Sequence, residues 1–377
     1  MRIAIDARFL NATPSPLAQY SENLIEHLAQ VDEENEYVVF IHSSFPKTLR
    51  VGENFRVRPV RSAPISWRTL ARFHKQVERA EADILHCLYP VIPLAYRGRL
   101  LVTVHDLKPL LAHEAEPNGF FLRRRLRQGM ARWVFPIAVR RATWLSAISN
   151  TTREGLSKMF PEAFHKTVVT HSGLEPSYQT PLEESTLELV RTKHELPERY
   201  LFYTGSARPS KNLAKLLTAF AQFRGSEDKA VPLHLILDSP QDRWLEEAKK
   251  LARRLQLGPF VHFCGQVSDS ERRALYAMAQ AFCFPCKDEG FGLPILEAQA
   301  SGVPVLAADS GALPEVAGRG ALLVDPDRVA SIVEGLRLIL TSESLRRELV
   351  ETGYENARKY SWKKAAEQIR DIYNLLM

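Results

Sequence analysis

The stretch Asp288-Glu-Gly-Phe-Gly-Leu-Pro-Ile-Leu-Glu297, DEGFGLPILE, decides the architecture of the second half of the chain. It follows an apolar run, AFCFPC (281–286), that reads as a buried strand. Gly290 and Gly292 permit a tight turn, and Pro294 suits the first turn of a helix, where its missing N–H costs nothing. A strand, a glycine turn and a helix make one βα unit. The helix N-terminus carries unpaired amides and partial positive charge, so Phe291, Gly292 and Leu293 are placed to present N–H groups to a phosphate. An acid stands on each side of the turn. Glu289 lies in the loop, and Glu297 lies one turn into the helix, where a carboxylate can accept from a ribose diol. The bland alternative is a capped strand–turn–helix in which Glu297 only complements the dipole.

Working outward, the same grammar repeats. YLFYTG (200–205), HLILD (234–238), FVHFCG (260–265), VPVLAAD (303–309) and ALLVD (321–325) are further strand-like runs, separated by helical patterns. In YTGSARPSKNL (203–213) a strand ends at Gly205, a loop carries Arg208 and Lys211, and a helix opens at Asn212. Two cations at a helix start can clamp a diphosphate, although taken alone the loop reads more readily as solvated and basic. The first half has its own set: RIAIDA (2–7), YVVFIH (37–42), FRVRPV (55–60), ILHCL (84–88), LLVTVHD (100–106), ATWLSAIS (142–149) and TVVTHSG (167–173). Strands alternating with helices imply parallel sheets covered on both faces. His105 ends one of these strands; taken singly, such a histidine is more often structural than catalytic.

The totals agree with two domains. The chain has 377 residues, 45% hydrophobic and 25% charged, with a formal net charge of +6. No apolar run is long enough to cross a bilayer, and MRIAIDARFL lacks the features of a signal peptide, so a cytoplasmic location is expected. Of the four cysteines, Cys283 and Cys286 form a C-x-x-C, but no further ligand set completes a metal site and the run is apolar, so a structural role is expected. The excess of cations points to an anionic partner. One basic window is prominent: from 112 to 145, Arg123, Arg124, Arg125, Arg127, Arg132, Arg140 and Arg141 face only Glu114 and Glu116. Within 120–141, Leu122, Leu126, Met130, Trp133 and Ile137 recur at helical spacing. Two readings stand side by side, a solvated surface helix and a peripheral contact with anionic lipid at the inner face of a membrane. Recognisable nucleic-acid motifs are absent, so no nucleic-acid partner is expected.

Taken in order, EGFGLPILEAQASGVPVLAADSGALPEVAGRGALLVDP (289–326), YTGSARPSKNL, TVHDL (103–107), SAISNTTREGL and the closing KYSWKKAAEQI resemble family 4 of the retaining glycosyltransferases, which have the GT-B fold. The resemblance covers most of the chain. It implies two facing, doubly wound Rossmann-like domains with a cleft between them: an acceptor-side domain over 1–174, a sugar-nucleotide domain over 175–360, and a last helix, 361–377, returning to the first. By the same resemblance Glu289 holds sugar hydroxyls and Glu297 the ribose. The strand-ending Gly205, the amides of Phe291, Gly292 and Leu293, and Lys211 serve the diphosphate, and His105 faces the donor sugar and the acceptor. Two departures stand out. The family's glycine-rich loop after the first strand is here TPSPLAQYSENL, without glycine but with Tyr20. The family's arginine after the strand-ending glycine is Ser206, with Arg208 two positions on.

The activity implied is transfer of a hexose from a nucleotide diphosphate sugar to a hydroxyl of a glycan or lipid-linked acceptor, with retention, without a metal and without an organic cofactor. The details favour mannose from GDP-mannose, with UDP-sugars next. The non-enzymatic alternative is a sugar-nucleotide-binding protein that transfers nothing. The base, the sugar, the acceptor and the oligomeric state stay open at this level.

Overall fold

The computed structural model describes residues 1–13, 15–111, 121–225 and 232–376, with only the backbone of 109, 111 and 121–127. The chain divides into two units, Met1–Gly173 with Ser361–Met377, and Leu174–Tyr360.

Among the described residues, the first unit holds seven strands: β1 (Arg2–Asp6), β2 (Glu36–His42), β3 (Phe55–Val60), β4 (Ile84–Cys87), β5 (Arg99–Val104), β6 (Trp144–Ala147) and β7 (Thr167–Val169). They pair in the order β3-β2-β1-β4-β5-β6-β7, all parallel. One face is apolar: Ala4, Val38, Leu85, Val102 and Leu145 pack in one cluster with Leu70, Phe73 and Val77. The other carries a polar row. His86 meets the Tyr373 hydroxyl at 2.7 Å and the Thr103 hydroxyl at 2.8 Å, and Thr103 is in register with Ser146. The helices Pro16–Val31 and Trp362–Leu375 pack together, and Trp362–Leu375 brings Tyr373 to this row. Burial pushes the His86 pKa down to about 3, so it sits there neutral and fully hydrogen-bonded.

The second unit holds six described strands: β8 (Tyr200–Thr204), β9 (His234–Asp238), β10 (Val261–Gly265), β11 (Ala281–Phe284), β12 (Val305–Ala308) and β13 (Ala321–Val324). Their order is β10-β9-β8-β11-β12-β13, again parallel. One face buries Leu201, Tyr203, Leu235, Cys283 and Leu306 with Leu216, Phe220 and Ile332. The other is aromatic, with Tyr276 edge-on to Phe202 at 4.9 Å and to Phe282 at 5.0 Å.

In both units the first strand lies between its second and fourth. The direction of winding reverses there, and in doubly wound sheets the crevice at the carboxyl ends of those strands is the place for a ligand. In the second unit that point is the pair β8 and β11. The segments 205–212 and 285–292 leave the sheet there.

Candidate active site

Gly205 ends β8 with φ +132°, a conformation that favours glycine, and its N–H donates to the Asp238 carbonyl at 2.9 Å. Arg208 is exposed and precedes one 3-10 turn, Pro209–Lys211. The helix then starts at Leu213, one residue later than the sequence pattern suggested. Asn212 causes the delay. It adopts a left-handed φ of 61°, and its buried side-chain amide donates to the Pro285 carbonyl at 3.0 Å and the Pro326 carbonyl at 2.8 Å. The amide of Lys287 donates to the Ser210 carbonyl at 2.9 Å, and the Cys286 thiol lies 3.3 Å from the same oxygen. The two segments are therefore stitched together through their backbones.

Within that seam Lys211 and Glu289 form an ion pair, with side chains 20% and 22% exposed. Burial opposes the ammonium form, but the adjacent Glu289 carboxylate outweighs it and holds the Lys211 pKa above its ordinary value. The ammonium also lies 5.4 Å from the centroid of the Phe284 ring. The Glu289 carbonyl accepts from Ala312 N at 3.3 Å, so the turn after β12 braces the acid from below. Phe291 is buried against Tyr360. Gly292, at φ +107°, caps the helix Leu293–Ala300, with Pro294 in its first turn. A Cβ at Gly292 would stand 2.6 Å from Leu313 Cδ2, so only glycine fits.

Glu297 is buried, 6% exposed, and accepts from the Tyr276 hydroxyl at 3.1 Å. Burial pushes its pKa up to about 7; Arg272 and the Tyr276 hydrogen bond pull the other way, and Asp269 and Asp238 add to the rise. Behind it stands a network that the sequence pattern did not disclose. The Arg272 guanidinium donates through Nε to buried Asp238 at 2.7 Å and through Nη1 to Asp269 at 2.9 Å. Asp238 also accepts from the Thr204 hydroxyl at 2.6 Å and from Val267 N at 3.2 Å. Asp238 ends β9, and Arg272 lies one helical turn before Tyr276. Asp269 is a helical neighbour of Arg272, three positions away, but Asp238 lies 34 positions off and carries no local signal; only the tertiary fold brings it to the guanidinium.

His105 belongs to the first unit, just past the end of β5. Its Nε2 lies 2.9 Å from the Leu88 carbonyl, which can only accept, so Nε2 carries the proton and Nδ1 is the acceptor. Its ring stands edge-on to Tyr20 at 4.6 Å, and burial lowers its pKa to about 4. The glycine-less loop is explained locally: the Ser15 hydroxyl accepts from Ala18 N at 3.1 Å and caps the helix that Pro16 opens. Of the C-x-x-C pair, Cys283 is core, whereas Cys286, also buried, hydrogen-bonds within the seam. In the basic window the side chains of Arg123, Arg124, Arg125, Arg127, Leu122 and Leu126 lie outside the described residues. Three described arginines there are engaged with the chain itself: Arg132 with the Leu110 carbonyl, Arg140 with Glu162 and Arg141 with the Leu94 carbonyl. Among the described residues no helix is long and apolar enough to cross a membrane.

Chemically, the seam offers a cation, helix-terminal backbone and an acid within one small region, which suits a polar ligand with both phosphate and hydroxyl groups. The chain is similar to known proteins. A family model described as Glycosyl transferases group 1 matches residues 188–356, and one described as Glycosyltransferase Family 4 matches residues 17–178. O-antigen chain mannosyltransferase B of Escherichia coli is 27% identical over 381 residues, covering 96% of each chain. Among solved structures, sucrose-phosphate synthase of Thermosynechococcus elongatus superposes with a TM-score of 0.78 at 19% identity, over 100% of this chain and 98% of that one. Anabaena HepE in complex with UDP-glucose does so at 0.74 and 17% identity, over 99% of each. The fold, the ordered motifs and the two family models lead to one conclusion: the chain belongs to the GT-B glycosyltransferases of the group 1, family 4 type.

Proposed function

We propose that this chain transfers a hexose, mannose from GDP-mannose, to a hydroxyl of a glycan or lipid-linked acceptor, with retention at the anomeric carbon, and that it works in the cytoplasm. The observation that carries the reading is the meeting of Lys211 and Glu289 at the carboxyl ends of β8 and β11, beside the start of the helix Leu293–Ala300. As the bond from the anomeric carbon to the phosphate oxygen breaks, negative charge grows on the departing diphosphate. Lys211, Arg208 and the amides of Phe291, Gly292 and Leu293 neutralise it. One such donor contributes about 2.7–4 kcal/mol to the transition state. The acceptor hydroxyl forms the new bond on the same face, and its proton passes to a diphosphate oxygen. No protein base is assigned, and the scheme uses neither metal nor organic cofactor.

Glu289 holds the sugar hydroxyls and, before the donor arrives, the Lys211 ammonium. Glu297 accepts from the ribose, and Tyr276 and Arg272 keep its carboxyl in place. His105, neutral at pH 7, offers Nδ1 as an acceptor to the sugar or the acceptor hydroxyl. The choice of mannose rests on the Escherichia coli mannosyltransferase. A UDP-sugar is the second reading, favoured by UDP-glucose bound to Anabaena HepE.

A melting-temperature panel with GDP, UDP, ADP and dTDP selects the nucleotide, because a ligand that binds only the native state raises the melting temperature. Slow hydrolysis or transfer from the matching sugar donor then separates an enzyme from a sugar-nucleotide-binding protein. If no nucleotide shifts the transition, the site assignment is wrong; if one does and its sugar is neither hydrolysed nor transferred, the binding-only alternative stands.

A further inference from the structure

The first unit has its own crevice, where β1 and β4 are neighbours and Asp6 is in register with Cys87. Just past the carboxyl ends of these strands stand Phe9 and Tyr89. Each is half-buried between buried neighbours, Arg8 and Leu10 in one segment and Leu88 and Pro90 in the other. The backbone around them is tied down. The buried Arg8 guanidinium donates to both Asp6 carboxylate oxygens, at 2.7 and 2.6 Å, and to the Thr69 hydroxyl at 2.9 Å. The Leu88 amide donates to the Asp6 carbonyl at 3.4 Å, and the Asn11 side-chain amide donates to the Phe9 carbonyl at 2.9 Å. Held in this way the two rings touch, with centroids 4.9 Å apart and planes inclined at 56°. The Tyr89 hydroxyl has no hydrogen-bond partner among the described residues. Burial, and after it the Asp106 carboxylate, raises its pKa, so at neutral pH it is a donor. His105 is anchored next to it, with Nε2 on the Leu88 carbonyl at 2.9 Å and Nδ1 as an acceptor.

We propose that Phe9 and Tyr89 form a platform for the sugar that receives the new bond: a pyranose lies with its C–H face on the two rings and takes a hydrogen bond from the Tyr89 hydroxyl. On the proposed transfer to a glycan, on which this rests, the platform is the grip of the first unit on the acceptor. The face of an aromatic ring is negative, and the ring C–H hydrogens of a sugar, bordered by oxygens, are positive, so the two attract. The hydroxyls of a pyranose also match one donor, Tyr89, and one acceptor, His105 Nδ1. Other ligands fit less well. Two touching, tilted rings leave no parallel slot for a planar base. An acyl chain would leave the hydroxyl and the imidazole without partners, and an anionic group would meet the Asp106 carboxylate.

The test is saturation-transfer NMR on the full chain with methyl α-D-mannopyranoside, methyl α-D-glucopyranoside and mannitol, a polyol without a ring. Saturating the aromatic protons of the protein is expected to mark the ring C–H protons of the pyranosides and to leave mannitol unmarked. Phe9→Ala is expected to weaken pyranoside binding roughly threefold to tenfold, the loss of one ring contact. Tyr89→Phe keeps the ring and removes the hydroxyl; it is expected to retain the transfer from aromatic protons while binding roughly twofold to tenfold more weakly. Because that hydroxyl has no partner within the described chain, the melting temperature of Tyr89→Phe is expected to match that of the parent. Phe164→Ala, at a ring of the same unit that is 50% exposed, is the control and is expected to bind as the parent does. The nucleotide melting panel depends on the second unit and reads the donor site separately. A nucleotide shift without pyranoside contact would sink the platform alone; pyranoside contact that both variants weaken, without any nucleotide shift, would uphold the platform and sink the donor reading. Mannitol marked as strongly as the pyranosides, or affinities unchanged in both Phe9→Ala and Tyr89→Phe, would also overturn the platform.

Discussion

Lys211 and Glu289 stand 78 positions apart in the chain and share one ion pair at the seam between β8 and β11. Each therefore sets the other's position before any ligand arrives. A diphosphate that engages the ammonium competes with the carboxylate, and a sugar hydroxyl that engages the carboxylate relieves that competition. Two groups read from the sequence as separate contacts act as one unit.

Lys211→Ala is expected to lower turnover about a hundred- to a thousandfold, with a much smaller loss of nucleotide affinity. Steady-state rates with nucleotide titrations make the comparison. Because the pair is coupled, Lys211→Ala/Glu289→Gln is expected to cost less than the sum of the single changes. Transfer by the Lys211 variant within a few-fold of the parent would sink the charge-neutralising role.

Glu297 links stability to pH. Its folded pKa of about 7 lies above its unfolded value of 4.5, so between these the native state binds more protons than the unfolded one and stability falls as pH rises. The contribution of the neutral carboxyl is complete below 4.5 and lost above 7, and amounts to at most about 3 kcal/mol. Urea unfolding at pH 5 and pH 8 is expected to show this fall in the parent and a smaller one in Glu297→Gln. Parallel pH dependences would refute it.

Asn212→Ala removes the donor from two buried carbonyls and puts alanine at a left-handed φ. It is expected to destabilise the second unit by about 2–3 kcal/mol and to weaken nucleotide binding by freeing Lys211 from the seam. An unchanged unfolding midpoint would show that Asn212 holds nothing together.

Gly292→Ala is expected to cost about 2–3 kcal/mol, because φ +107° and Leu313 both exclude a Cβ. Gly129→Ala, in the helix Phe121–Arg141 with no atom near the added carbon, is expected to stabilise by about 0.5–1 kcal/mol. Thermal melts of both variants set the two glycines apart; equal effects would remove the packing argument.

His105 is expected to show one neutral tautomer, protonated at Nε2, with no titration between pH 5 and pH 8 in nitrogen-detected NMR. The pH–rate profile should then lack any limb due to it. A midpoint near 6.5 would contradict its burial.

Much of this architecture is local in origin. Short β-rich runs mark all thirteen described strands, apolar in most and alternating in FRVRPV (55–60), and the Gly205 and Gly292 turns announce themselves because few other residues tolerate their dihedrals. The spacing of Glu289 and Glu297 around a glycine turn likewise named the region that the seam occupies. Charge partnerships were not legible in this way. Lys211 reads as a phosphate clamp beside Arg208, with nothing to tie it to Glu289, and Asp238 and Arg272 give no signal. A side chain's partner depends on which strands become neighbours, and β8 packs beside β11 rather than β10 for reasons spread over the whole core. Periodicity and dihedral preference are properties of a few consecutive residues and survive in a linear reading. Ion pairs, burial and the shifted carboxyl of Glu297 arise when distant segments exclude water together, and they exist only once the chain has folded.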